Sequence, residues 1–474
     1  MNAIKNKILK FIILLAISLN VFSCFSKKIN SVNESKPNIV FILVDDLGWS
    51  DVGFMGNPVY ETLNLDKLSM ESVTFSNAYA PAANCAPSRA CILTGKNTPR
   101  HGIYTVGSSE RGKAANRKLI PTKNTKTLKE DFITLGEVLK AKGYQTATMG
   151  KWHLSDNPTT QGFDVNVGGS HAGHPKSYFS PYKNPVLEDG EDGEYLTDRL
   201  TNEAISFIES NSTKPFFLYL PYFTVHTPLQ GKKDLVEKYK EKIKGDKRFN
   251  AEYGAMVESM DANVGRILEA LKTLNISENT IVVFTSDNGG LASVSSQFPI
   301  RAGKGSYYEG GIRVPFVMRW PNKIKQPKKE DTPITGLDIF PTILEAVNDT
   351  KDYELDGNSI LPLVLNNKPF TERSLFWHFP IYLQGVNPLK DEARDSLFRT
   401  RPGSVIRKGK WKLHEYFEDN ALELYNLEAD LREQEDVSEK YPNITKELHR
   451  ELVAWRNKSN APVPKELNPR YVSN

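Results

Sequence analysis

Hydrophobic residues fall along this chain in short unbroken runs. Residues 38–44 (Asn-Ile-Val-Phe-Ile-Leu-Val) form one, and it stops at Asp45-Asp46. A continuous apolar stretch of that length is the pattern of a strand buried on both faces of a parallel sheet. The layout recurs: 145–149 leads into Gly150-Lys151-Trp152-His153, 215–220 into 222–228, and 280–285 into Ser286-Asp287-Asn288-Gly289-Gly290. Helical patterns lie between, at 134–142, 196–210 and 252–274. Strands alternating with helices predict an α/β fold, a large and mostly parallel sheet sandwiched by helices. In such sheets the ligand crevice lies beyond the carboxyl ends of the strands, so polar residues far apart in sequence are expected to meet there.

Near residue 370 the texture changes. Residues 405–413 and 422–427 read as two short antiparallel strands, and 443–455 as an amphipathic helix. They predict a small C-terminal α+β subdomain packed on the large one. The organisation expected is a catalytic domain over 37–370 and this subdomain over 371–474.

The first residues read as an export signal, because Lys5, Lys7 and Lys10 precede an apolar run at 11–19 that is too short to span a bilayer. Val21-Phe22-Ser23-Cys24 resembles a bacterial lipobox. Residues 1–23 are then a lipoprotein signal peptide, Cys24 the lipidated N-terminus and 24–36 a linker. The alternative is a plain secretory signal that discards Cys24. Phe25-Ser26-Lys27-Lys28 carries no acidic residue, which favours the periplasmic side of a membrane over the cell surface.

Composition narrows the function class. Of 474 residues 39% are hydrophobic and 25% charged, as in an ordinary globular protein with room for a deep active site. The formal charge of +4, less the three signal lysines, leaves +1, which predicts no nucleic-acid partner. If Cys24 carries lipid, only Cys85 and Cys91 remain, too few for a disulfide framework. Something other than stability must explain Cys85.

Cys85-Ala86-Pro87-Ser88-Arg89 followed by Leu93-Thr94-Gly95 closely resembles the signature of the formylglycine-dependent type I sulfatases, within the alkaline-phosphatase-like superfamily. Pro87 suits a first helical turn and Gly95 a helix end, which places Cys85 at a helix N-terminus, where an anion is favoured. The resemblance implies that Cys85 is oxidised to 3-oxoalanine (formylglycine) before folding, by a formylglycine-generating or anaerobic maturase. The hydrated aldehyde would attack sulfur, and the sulfated diol can collapse and expel sulfate without a second attack. Cys91, inside the helix, reads as a buried small hydrophobe.

Paired acids after a strand are often caps or turn residues. By the same resemblance, however, Asp45, Asp46, Asp287, Asn288 and the modified Cys85 together hold one Ca²⁺, a cation that prefers such hard oxygen ligands. A sulfate monoester calls for further cations. Arg89, Lys151 and Lys304 occupy the family's positions, the last in Arg301-Ala302-Gly303-Lys304-Gly305. The family also implies that His226, with Lys304, assists leaving-group departure, that His153 takes a proton during sulfate elimination, and that Asp287 helps activate the attacking hydroxyl.

Loops at 168–175 and 377–380 and the segment 194–198 look like those of polysaccharide-acting sulfatases of Bacteroidota. That likeness implies a sulfated oligo- or polysaccharide substrate: an algal polysaccharide such as ulvan or carrageenan, or a host glycosaminoglycan. Two rival readings remain. One is a phosphatase or phosphonate monoester hydrolase on the same scaffold, with a dianionic substrate and often a second metal. The other is a non-catalytic glycan-binding lipoprotein, which would require loss of motif residues.

Overall fold

The computed structural model describes residues 36–472 except 367, 369 and 386, so the export signal and Cys24 lie outside the described residues. β1 (Asn38–Val44) lies inside an eight-stranded sheet, paired in parallel with β6 (Phe216–Pro221) on one side and β7 (Thr280–Ser286) on the other. Beyond β6 come β4 (Gln145–Met149) and β5 (Val165–Val167), also parallel. Beyond β7 come β8 (Phe316–Arg319), which is antiparallel, then β2 (Val73–Phe75) and β9 (Lys328–Glu330). β3 (Ala78–Tyr79) and β10 (Ile334–Thr335) pair in a separate parallel ribbon.

β1 shows why the runs are unbroken. Ile39, Phe41 and Leu43 enter one core, with residues of the helices Cys85–Thr94, Leu135–Ala141 and Ile339–Ala346. Val40, Ile42 and Val44 enter the opposite core, under the helices Leu63–Met70, Leu196–Ser210 and Ala251–Thr273. Both faces being covered, the positions from Ile39 to Val44 are all apolar, and polarity returns only at Asp45, where the chain leaves the sheet. The expected helix at 134–142 is Leu135–Ala141 with Thr134 as cap: Glu137 N donates to Thr134 Oγ1 at 3.2 Å, and Thr134 N donates to the Glu137 carboxylate at 2.7 Å.

The C-terminal region carries an antiparallel sheet in the order β11 (Leu375–Phe379), β14 (Gly403–Lys408), β15 (Trp411–Tyr416), β16 (Leu422–Asn426). The helix Pro442–Lys458 lays Leu448 and Leu452 on Ile406, Leu413 and Leu424 of this sheet. β12 (Leu383–Gln384) and β13 (Phe398–Thr400) form a short antiparallel ribbon. The α+β expectation holds in kind and needs one correction. Residues 405–413 are not a single strand but most of a hairpin, turned at Gly409, whose φ of +55° lies in the left-handed region that glycine adopts without cost. No helix among the described residues is long and apolar enough to cross a membrane.

Candidate active site

Because β4, β6, β1 and β7 are adjacent and parallel, their carboxyl ends open on one edge. Pairing continues past the strands: Asp45 N donates to Thr224 O at 3.0 Å, Val225 N to Asp45 O at 2.9 Å, and Asp287 N to Val44 O at 3.1 Å. Lys151 N donates to Pro221 O at 2.7 Å, and Gly150 before it leaves no room for a side chain, since a Cβ there would lie 2.1 Å from Pro221 O. The first acid pair, the second Asp-Asn pair, Lys151 and the 222–228 segment are thus fixed by one extended ladder.

Cys85 reaches this edge from the other direction, as the first residue of the helix Cys85–Thr94, which ends at Gly95 with φ +65°. Its Sγ lies 3.3 Å from Asp45 Oδ1 and 3.7 Å from Asp46 Oδ1. Lys151 Nζ lies 2.6 Å from Asp45 Oδ2, and Lys304 Nζ 2.7 Å from Asp46 Oδ2. Arg89, one turn along the same helix, donates Nε to Asp287 Oδ2 at 2.8 Å and Nη1 to Lys151 O at 2.6 Å. Asn288 Nδ2 donates to Asp46 Oδ1 at 2.8 Å, and Asp46 N to Asp287 Oδ1 at 3.2 Å. His226 Nε2 stands 3.6 Å from Asp46 Oδ2. Nine of the ten residues named from the sequence are joined by these contacts. The tenth, His153, is buried two residues beyond Lys151, and its backbone N–H donates to Ser170 O at 2.9 Å. Asp46 and His153 have φ of +62° and +63°, non-glycine residues in the left-handed region, a strain that clusters at functional sites.

Charge here is balanced by design of position. Three carboxylates (Asp45, Asp46, Asp287) face three cations (Arg89, Lys151, Lys304), so the cradle is close to neutral, and a divalent cation added to it would leave positive charge to hold a monoanionic sulfate ester. Burial pushes the Asp46 carboxyl up, but Lys304 chiefly, with Lys151, outweighs it and holds the group well below the usual carboxylate range. Burial raises Asp287 to about 6, against the pull of Arg89 and with the help of Asp45. The Cys85 thiol is pushed above its ordinary value by burial and then by Asp45, so it is not a thiolate at neutral pH. Burial and then Lys304 lower His226 to about 3, and burial with Lys151 and Arg89 lowers His153 well below its ordinary value. Both imidazoles are therefore neutral, while Lys304 keeps its proton against burial chiefly through Asp46.

One tautomer can be assigned. His226 Nδ1 lies 2.6 Å from Thr227 O, and a carbonyl only accepts, so Nδ1 carries the proton and Nε2 is the bare nitrogen facing Asp46.

Donor atoms of Asp45, Asp46, Cys85 and His226 lie within 4.8 Å of one another. The side-chain oxygen of Asn288 is buried without a hydrogen-bond partner among the described residues. An orphaned amide oxygen beside carboxylates is what a hard cation such as Ca²⁺ would satisfy, so these residues fit that ion.

Several supports were not visible in sequence. Asp51 accepts Gly48 N at 3.0 Å and the Tyr253 hydroxyl at 2.6 Å, bracing the loop after β1; its only sequence signal is that it follows Asp46 by five residues. Arg399 Nη1 donates to Lys304 O at 2.8 Å and Thr400 Oγ1 to Gly305 O, so β13 grips the segment that bears Lys304. Of the segments whose layout looks like that of polysaccharide-acting sulfatases, 377–380 is not a loop at Trp377 and His378, and 194–198 is tied into the fold. Trp377 and His378 are buried in β11, where His378 bonds Ser404 Oγ at 2.8 Å and Pro462 O at 2.9 Å. In 194–198, Tyr195 donates its hydroxyl to Gln230 O at 3.0 Å and Glu194 accepts one from Tyr182 at 2.8 Å. Cys91 is buried with its Sγ 3.4 Å from His101 Nε2, and neither Cys85 nor Cys91 is in a disulfide.

A neutral cradle of acids and cations at the carboxyl edge of a mostly parallel sheet defines a hydrolase of small anionic esters. Residues 37–349 match the family described as Sulfatase, and residues 303–458 match the C-terminal region of N-sulphoglucosamine sulphohydrolase. The chain belongs to the sulfatase family and is a sulfuric ester hydrolase. It is 32% identical to a sulfatase of Formosa agariphila over 90% of either chain. It is 33% identical to the N-acetylgalactosamine-6-sulfatase of Canis lupus familiaris, over 72% of this chain and 68% of the relative. Among solved structures it resembles Ps i-CgsB in complex with k-i-k-neocarrahexaose, with TM-score 0.72 and 30% identity, over 91% of this chain and 95% of that one.

Proposed function

We propose that this sulfatase removes sulfate from a sulfated saccharide, with Cys85 converted to formylglycine and one Ca²⁺ beside it. The observation that carries the reading is the position of Cys85, first in its helix, against both Asp45 and Asp46 and flanked by Lys151 and Lys304. As a thiol it would be a poor nucleophile there; converted and hydrated, it would present a hydroxyl to sulfur instead. Ca²⁺, held by Asp45, Asp46, Asp287, Asn288 and residue 85, would polarise the sulfate oxygens.

The chain's own residues divide the remaining work. Arg89 fixes Asp287 and the backbone of Lys151, and Lys151 places its charge on the Asp45 side. His153, neutral and with Nδ1 lacking a hydrogen-bond partner among the described residues, is a base able to take the proton released when sulfate leaves. On the Asp46 side Lys304 holds a proton and His226 Nε2 does not. Lys304 is therefore the group to protonate the bridging ester oxygen, and His226 stands beside it against the same Asp46 oxygen.

Two relatives support a galactose-type substrate, since one is named for N-acetylgalactosamine-6-sulfate and another binds k-i-k-neocarrahexaose. We favour a carrageenan-type galactan over ulvan. We further propose export, a lipid anchor on Cys24, a periplasmic location, a maturase that acts on Cys85, and a catalytic domain ending near residue 370. Sulfate release, read by ion chromatography from defined sulfated oligosaccharides, tests the function. Turnover of some member and loss of it in Cys85→Ala are expected; full activity of Cys85→Ala would refute the mechanism. Mass analysis of the Cys85 peptide reads the conversion directly.

A further inference from the structure

The exposure of the site runs one way. Cys85 is 1% exposed, the side chains of Lys304 and His226 are 13% and 16% exposed, and His171 and His174 beyond them are exposed. A sulfate ester must enter with sulfur towards Cys85, so its alcohol portion projects outward past His226. Two imidazoles stand at that exit. The His174 ring lies nearly parallel to His226, with centroids 6.0 Å apart and planes 20° apart, and His171 meets the His153 ring edge-on at 6.2 Å.

The loop that carries them is built to stay in place. Asn166 brackets Gly169 with two hydrogen bonds of 2.9 and 3.0 Å, Ala172 N donates to Ser170 Oγ at 3.2 Å, and Ser170 O holds the His153 backbone. Gly173 packs so closely on the His153 ring that a Cβ would lie 2.6 Å from it. The ring nitrogens of His171 and His174, by contrast, have no hydrogen-bond partner among the described residues. Pre-positioned polar atoms with nothing to bind are what a recognition surface needs.

We infer that His171 and His174 form a saccharide-binding subsite at the mouth of the active site, hydrogen-bonding hydroxyl groups of the sugar that carries the sulfate. The inference rests on the saccharide reading above and adds to it the residues that read the sugar. Each imidazole offers one donor and one acceptor, a match for vicinal hydroxyls, and its flat face can cover the C–H face of a pyranose.

The test is steady-state kinetics of His171→Ala, His174→Ala and His174→Gln, as the full converted chain, on the sulfated oligosaccharide the wild type turns over fastest. Loss of one such contact is expected to raise KM about tenfold with kcat within about threefold, and His174→Gln, which keeps a donor and an acceptor, should recover part of the loss. Thermal midpoints report folding, and two exposed side chains should leave them within about 2 °C. An unchanged KM in the folded alanine variants, or a fall in kcat alone, would overturn the subsite while leaving the saccharide reading intact. A wild type that releases sulfate from an aryl ester and from no saccharide would overturn both.

Discussion

Replacing Gly173 by alanine bears directly on the positioning of His153. The φ of Gly173 is not in the left-handed region, so alanine meets no backbone strain there. Its methyl group, however, would lie 2.6 Å from both Cε1 and Nε2 of His153 and 3.2 Å from Cδ2. Restoring an ordinary carbon contact of about 3.5 Å requires the ring to retreat by about 0.9 Å. The ring cannot follow its backbone, which Ser170 O holds at 2.9 Å, and it is packed beneath the loop. A misplacement of about 1 Å at a reacting group costs on the order of 100-fold in rate. Gly173→Ala is therefore expected to lower kcat about 100-fold, with a thermal midpoint within a few degrees of the wild type. If His153 serves the expulsion of sulfate, the alcohol product should appear in a burst of one equivalent per enzyme before the slow phase. Rapid-quench measurement of alcohol and sulfate separates the two events. A kcat within about threefold of the wild type would refute the reasoning.

Further outcomes follow from the same contacts. Added Ca²⁺ should raise the thermal midpoint of the metal-stripped protein, and Asn288→Ala should weaken binding read by isothermal titration; an equal affinity would remove Asn288 from the ion's ligands. Arg399→Ala removes a charged hydrogen bond to Lys304 O and should cost about 2 kcal/mol of stability and lower kcat more than it raises KM. Glu309 is fully buried against Lys412 at 2.9 Å and Arg313 at 3.2 Å. Burial raises its carboxyl, yet Lys412 and Arg313 prevail and hold it at about 2, below the ordinary 4.5. A depressed carboxyl stabilises the fold fully above its unfolded value and loses that contribution as pH falls from 4.5 towards 2. The loss is about 3 kcal/mol, and Glu309→Gln should flatten the acid limb of urea-denaturation midpoints against pH.

What could be read from the chain, and what could not, divides along physical lines. The strands β1, β6 and β7 were legible because burial on both faces demands apolar runs, and their ends were legible because polarity returns abruptly where a strand leaves the sheet; β4 (Gln-Thr-Ala-Thr-Met) has no such run and was legible by its place before Gly150-Lys151. That logic fails for residues 405–413, where Gly409 turns a hairpin inside what reads as one run. It fails again for Trp377 and His378, which look like a sugar-binding loop and lie buried in a strand, since a polar side chain gives no sign of the Ser404 hydroxyl awaiting it. The grip of Arg399 on Lys304 joins positions 95 residues apart through a backbone carbonyl, and no pattern in the side chains announces such a bond.

The burial of Cys85 has a consequence in time as well as in space. With 1% of the residue exposed, no modifying enzyme can reach its sulfur once the fold has closed. The groups that hold the neighbouring Lys304 segment in place, Arg399 and Thr400, lie more than 300 residues further along the chain. At about 5 to 20 residues per second, the ribosome delivers them roughly 15 to 60 s after Cys85. The order of synthesis thus leaves the cysteine accessible before these groups exist, and if Cys85 is converted as proposed above, the interval for that chemistry is set by the length of the chain.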